Sequence, residues 1–107
     1  MATITSDDNS IHNDLTQHPL SIVKYYAEWC GSCKLFAPKY KRLSNEERFQ
    51  NIAFLDVNAE TNPDARKLGN VNNLPSFAIF KNGILVATIA SSKEEAVIEL
   101  IEQLQNN

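Results

Sequence analysis

The sequence predicts an α/β domain of three layers, with helices on both faces of a central sheet that mixes parallel and antiparallel pairs. Three observations carry this prediction. Strand-like apolar runs alternate with helical patterns through the first two thirds of the chain. The run LSIVKYYA at residues 20–27 is apolar on both faces, as a strand covered from both sides must be. Lys81-Asn82-Gly83 separates two β-rich runs, and an Asn-Gly pair in that setting is a strong hairpin signal, so the last two strands are antiparallel. At 107 residues the chain is read as one domain spanning residues 1–107. A chain of that size buries about two thirds of the surface exposed when unfolded, so it folds without cross-links.

Taken in order, residues 2–5 (ATIT) form a short edge strand, and SDDNSIHNDLTQ supplies Ser, Asp and Asn to cap a modest helix that ends before Pro19. The strand at 20–27 follows, with Lys24 as its one discordant member. Phe36, Tyr40 and Leu43 recur at i, i+4, i+7, which predicts a helix from about Cys33 to the SNEERF region, kinked but not ended by Pro38. NIAFLDV is the next strand, parallel to the first because a helix connects them. Asn62, Pro63, Asp64 and Gly69 mark both ends of a short helix. PSFAIF and ILVATIA are the hairpin strands, and Ser92 with Glu95 forms a capping box before the apolar face of Val97, Leu100, Ile101 and Leu104.

Charge and composition exclude several function classes. With 10 Lys+Arg against 13 Asp+Glu the formal net charge is −3, and no basic cluster supplies the field that phosphate backbones require, so nucleic acid is not an expected partner. Nowhere do about 18 apolar residues run together, so no membrane span is expected. The segment MATITSDDNS has neither the basic nor the apolar region of a secretory leader, and a cytoplasmic protein is expected. Two cysteines in a domain that needs no staple, within a reducing compartment, point to redox or metal chemistry.

Those cysteines are Cys30 and Cys33, at a strand-to-helix junction. A sulfur in the first helical turn meets unpaired backbone N–H groups and the positive end of the helix dipole, both of which favour a thiolate. Cys30 is therefore placed to be a nucleophile and the more exposed of the two. Cys33, three residues on and facing the protein, closes a disulfide with it and resolves the intermediate. Two other readings stand beside this one: a pair of small buried hydrophobes, and a zinc site for which His12 and His18 are the remaining ligand candidates, not at a familiar spacing.

The chain resembles the thioredoxin family along nearly its whole length. The resemblance rests on AEWCGSCK, similar to Trp-Cys-Gly-Pro-Cys-Lys; on APKYKRL after it; on Leu74-Pro75-Ser76, similar to Ile-Pro-Thr; and on FKNG before the last strand. It implies the thioredoxin fold, with Pro75 as a cis-proline facing the cysteines and a loop of Leu74, Pro75 and Ser76 guiding an extended substrate segment. Trp29 would shield the disulfide and contribute to substrate binding, and Gly31 would keep the approach open. The implied activity is thiol–disulfide exchange with partner proteins, by a monomer with no cofactor, electrons arriving from a thioredoxin reductase or a small thiol. A non-catalytic binding or assembly module on the same fold is the rival.

Three departures from the family pattern stand out. Ser32 replaces the proline between the cysteines, loosening the first helical turn and adding a hydroxyl that can bond a backbone N–H or the sulfur. Lys24 stands where the family has a buried Asp, with Asp56 in the next strand as its candidate counter-ion. A cationic Lys24 near the sulfurs stabilises thiolate and raises the potential; a neutral one would serve as a base; a snorkelling or paired one would have no redox role. Finally, Ala90-Ser91-Ser92 replaces a segment where the family carries a Gly that lets substrate backbone approach.

Overall fold

A computed structural model of the chain describes residues 3–106. The predicted domain limits at residues 1 and 107, and Ala2 of the predicted edge strand, lie outside the described residues. The elements are β1 (Ile4–Thr5), α1 (Ile11–Gln17), β2 (Leu20–Tyr26), α2 (Gly31–Ser44), β3 (Ala53–Asn58), α3 (Pro63–Leu68), β4 (Ser76–Lys81), β5 (Ile84–Ala90) and α4 (Glu94–Gln105), with a single 3₁₀ turn at Glu47–Phe49.

The five strands lie in the order β1-β3-β2-β4-β5. β1 and β2 run parallel to β3, while β4 is antiparallel to both β2 and β5. Alternate residues of the central strands feed two separate cores. Ile22, Phe54, Phe77 and Ile79 pack with Phe36, Tyr40 and Leu43 of α2 and with Val97, Leu100, Ile101 and Leu104 of α4. Val23, Tyr25, Leu55, Val57, Ala78 and Phe80 pack with Ile11 and Leu15 of α1 and with Ala65 of α3. Helices therefore cover both faces, which is why β2 reads as apolar throughout. Lys24 points to the α2 side, along with Ile22, because strand side chains alternate.

Several helix ends differ from the sequence reading. α2 begins at Gly31 rather than near Cys33, because Cys30 occupies the N-cap and its sulfur accepts the Cys33 N–H at 3.2 Å. No capping box forms at α4: Lys93 is the N-cap, and Ser91 Oγ accepts the Lys93 N–H, so Ser92 and Glu95 do not bond reciprocally. Asn62 does precede Pro63 at the start of α3, but its side chain works elsewhere. Its Oδ1 accepts the Asp8 N–H at 2.9 Å, and Asp8 Oδ1 in turn accepts the Ala65 N–H at 2.7 Å. A residue from before α1 thus satisfies the first turn of α3.

At the other end of α3, Gly69 is not the left-handed residue; that position belongs to Asn70, with φ 56°. Glycine is needed at 69 because the Tyr25 ring occupies the space, and a Cβ built there would lie 2.5 Å from the Tyr25 hydroxyl. The hairpin turn does use left-handed backbone, Asn82 at φ 53° and Gly83 at φ 81°, as a two-residue turn of this type demands. Beyond it the register slips between Ile79 and Phe80, leaving Val86 of β5 as the extra residue of a bulge.

Two core tyrosines tie the layers together. Tyr25 Oη donates to the Ala65 carbonyl at 2.8 Å, and Tyr40 Oη donates to the carbonyls of Leu55 at 2.8 Å and Ile22 at 3.0 Å. Burial pushes both phenols up from the usual 10.0; for Tyr40 the Asp56 charge adds to the rise and its backbone hydrogen bonds oppose it. Because the folded values lie above the unfolded ones, this source of stability is complete below pH 10 and is lost as pH rises above it. The expected outcome is a urea midpoint that falls between about pH 8 and about pH 11, with the tyrosinate absorbance of these two residues appearing only as the protein unfolds.

Candidate active site

β2 delivers the chain to the site. After Tyr26, Ala27 accepts the Cys30 N–H at 3.2 Å, and Cys30 turns the backbone into α2 in an extended conformation (φ −83°, ψ 107°). Cys30 and Cys33 form a disulfide, their Cα atoms 5.2 Å apart. The Cys30 sulfur receives the Cys33 N–H, and Ser32 Oγ lies 3.6 Å from it. The first turn of α2 contains no acidic residue, so nothing there cancels the positive end of the helix. A thiolate released at Cys30 would inherit this donor and this field.

Contrary to the sequence reading, Cys30 is not the more exposed of the two cysteines in the disulfide form: both are 3 % exposed. The closed ring is packed with Ala27 and covered by Tyr26 and Leu74. Trp29 is 68 % exposed, so most of its ring faces solvent beside the site. A Cβ built on Gly31 would meet nothing within 4 Å, so the space above Gly31 is open to an incoming chain.

Leu74 is held over the disulfide by a loop with its own anchors. Arg66 Nε donates to the Val71 carbonyl at 3.2 Å and its Nη2 to Asn72 at 3.3 Å, while Thr88 Oγ1 donates to the Gly69 carbonyl at 2.6 Å. The Leu74–Pro75 peptide bond is cis, and the Pro75 carbonyl accepts the Ser91 N–H at 3.3 Å. Ser76 is buried beneath, its hydroxyl donating to the Asn73 carbonyl, so it shapes the loop from below. A groove of about 270 Å³ results, lined by Ser32, Asn73, Leu74, Pro75, Ser91 and Ser92. The serines at 91 and 92 thus form one wall of that groove.

On the other side of Cys33 lies a second cleft, of about 260 Å³, lined by Lys24, Tyr26, Cys33, Ala37 and Asp56 among others. Lys24 and Asp56 sit opposite each other in the β2/β3 register, and Lys24 Nζ lies 3.0 Å from Asp56 Oδ1. That oxygen is buried and accepts no hydrogen bond, so the ammonium approaches off the hydrogen-bonding axis and the contact is ionic. The ammonium also lies 5.0 Å from the centre of the Tyr40 ring and 5.6 Å from that of Tyr26. Both ring faces attract a cation. Burial, then the charges of Asp56 and Glu28, push the Tyr26 phenol above 10.0. The contacts of the two tyrosines with Lys24 escaped the sequence reading, which had Tyr40 only as part of the apolar face of α2, although Tyr26 follows Lys24 at the two-residue period of one strand face. Arg66 left no signal at all.

His12 and His18 stand at either end of α1, remote in sequence from the cysteines, and among the described residues no three His, Cys, Asp or Glu side chains gather as a metal site. No described helix is long and apolar enough to cross a membrane.

A five-stranded mixed sheet with a disulfide at the β2–α2 junction, faced by a cis-proline loop, defines a dithiol–disulfide protein of thioredoxin architecture. Residues 2–103 match the thioredoxin family, and the chain belongs to it. It is 30 % identical to thioredoxin 1 of Plasmodium falciparum, over 96 % of this chain and 97 % of that one. It is 39 % identical to chloroplastic thioredoxin F2 of Arabidopsis thaliana over 76 % of this chain, which spans 43 % of that longer protein. Among solved structures, a thioredoxin f2 structure determined with ferredoxin:thioredoxin reductase superposes with a TM-score of 0.84 at 27 % identity, covering 97 % of this chain and 96 % of its own. The fold is the thioredoxin fold, and the activity is thiol–disulfide oxidoreduction through a redox-active cysteine pair.

Replacing Lys24 by Met would leave the buried Asp56 oxygen without its cation. Because the Asp56 side chain is 18 % exposed, the expected loss falls just below the range for fully buried pairs, at about 2–3 kcal/mol in urea unfolding of the disulfide form. The double variant Lys24→Met/Asp56→Leu should recover most of it.

Proposed function

We propose that this chain reduces or exchanges disulfides in partner proteins, with Cys30 as the attacking and Cys33 as the resolving thiol. The observation that carries this assignment is the Cys30 sulfur at the α2 N-cap, accepting the Cys33 N–H and lying 3.6 Å from the hydroxyl of Ser32, a residue that lines the Pro75 groove. In the reduced protein the Cys30 thiolate attacks one sulfur of the partner disulfide; the partner's second sulfur leaves and takes a proton. Cys33, giving up its own proton, then attacks the Cys30 sulfur of the mixed disulfide. The Cys30–Cys33 bond forms, the second partner thiol is released, and one electron pair has passed to the partner.

Leu74 and Pro75 are positioned to align the partner chain. Among the described residues no hydrogen bond engages the Leu74 backbone, which leaves its N–H and carbonyl for an extended segment. Trp29 and Gly31 border the same approach. No bound cofactor is required, since the disulfide carries the electron pair. A separate reductase or a small thiol returns it, a reading supported by the thioredoxin f2 solved with its reductase. The site is complete within one chain, which supports a monomer, and the use of both cysteines for the redox pair supports a reducing, cytoplasmic setting.

Lys24 tunes the couple in this reading. Its ammonium lines the cleft behind Cys33 and favours the thiolate form, and the Ser32 hydroxyl near Cys30 acts in the same direction.

Two measurements follow. In insulin-disulfide reduction, Cys30→Ser should abolish activity, and Cys33→Ser should accumulate a mixed disulfide with the substrate; full activity in Cys30→Ser would establish the binding-module rival instead. By thiol trapping across a glutathione series, the parent potential should lie above roughly −270 mV and should fall in Lys24→Asp. Equal values in both would remove Lys24 from the redox role.

A further inference from the structure

The charges of α2 run against those of the chain as a whole. The chain carries a net −3, yet α2 contains Lys34, Lys39, Lys41 and Arg42 and no Asp or Glu. All four cations are exposed. Among the described residues only Arg42 has a carboxylate partner, Glu94 at 2.7 Å; the three lysines have none. On the same helix Leu35 is 76 % exposed, a large apolar side chain with nothing over it.

These residues adjoin the redox pair. A groove of about 220 Å³ is lined by Ser32, Leu35, Phe36, Lys39 and Ser92. It shares Ser32 and Ser92 with the groove beside Pro75, so the two form one trough. The trough passes Ser32, whose hydroxyl lies 3.6 Å from the Cys30 sulfur, and continues onto α2. A chain held at the Pro75 loop with its cysteine at Cys30 therefore has its next residues directed over Leu35 and Lys39.

We propose that this chain selects protein disulfides whose attacked cysteine is flanked by an apolar residue and then acidic side chains, received by Leu35 and Lys39 on α2. Lys34 lines the cleft on the other side of Cys33, so Lys39 is the cation that meets the flank. The proposal rests on Cys30 as the attacking thiol and adds the substrate class. Leu35 gains from being covered by an apolar neighbour. Unpaired lysines beside an otherwise acidic surface steer acidic segments to the site and repel basic ones, mainly through the association rate.

The test uses three synthetic peptides, each holding one disulfide and differing only in the flank: Leu-Asp-Glu, Leu-Asn-Gln or Leu-Lys-Lys. Pre-reduced protein is mixed with each, and the single-turnover rate is divided by the same protein's rate on bis(2-hydroxyethyl) disulfide. At about 20 mM salt the acidic flank should react about tenfold faster than the basic one, and at about 500 mM the gap should close. Lys39→Gln should shrink the preference, Lys39→Glu should cancel or invert it, and Leu35→Ser should slow all three peptides alike. Equal normalised rates, or a preference unchanged in Lys39→Glu, would overturn the proposal. A protein inert towards bis(2-hydroxyethyl) disulfide would overturn the Cys30 reading, and this one with it.

Discussion

Burial of β2 on both faces is the constraint from which the rest of the molecule follows. A strand at the centre of a sheet can present apolar side chains in both directions only if something covers each face. Here α2 and α4 cover one face and α1 and α3 the other. The covering helices need crossovers, the crossovers run from strand ends, and the crossover leaving β2 is where the cysteines sit. Orphan N–H groups at the start of α2 must then find an acceptor near the Ala27–Cys30 turn. The Cys30 sulfur is that acceptor, so the reactive atom doubles as part of the helix cap.

The same constraint makes Lys24 expensive, because its side chain emerges into the layer between β2 and α2. The structure meets that cost with a carboxylate from the adjacent strand and two aromatic faces, and with a cleft open enough to leave Asp56 partly solvated. Removing either charge alone is therefore worse than removing both. The arrangement also sets the pair behind Cys33 while Ser32 stands beside Cys30, so the two cysteines meet different surroundings although they are equally buried.

How much of this was legible in the sequence depended on how local each signal was. The element order, the hairpin at Asn82-Gly83 and the cysteine junction were legible because periodicity, turn chemistry and spacing are properties of adjacent residues. Asp56 could be named as a counter-ion because it lies in the next strand, which a helical crossover makes parallel to that of Lys24. Features that join distant segments were not legible. Gly69 reads as an ordinary helix terminator, whereas the Tyr25 ring dictates it. Ser92 and Glu95 have the right spacing for a capping box, yet Ser91 takes the bond and Lys93 the cap. The burial of Cys30 depends on Leu74, 44 positions away, arriving over the ring on a loop anchored by Arg66 and Thr88.

The bond from Asp8 to the first turn of α3 has a consequence for how the molecule opens. Asn62 and Asp8 hold each other across 54 positions, and Ala65 completes the clasp. The segment before α1 cannot peel away without uncapping α3, and α3 cannot fray from its start without releasing that segment. The two therefore form one cooperative unit whose amides should exchange with deuterium together, apart from those of the central strands. Because Arg66 of α3 also anchors the loop that carries Leu74, opening of this unit would loosen the cover over the Cys30–Cys33 ring from the face opposite α2.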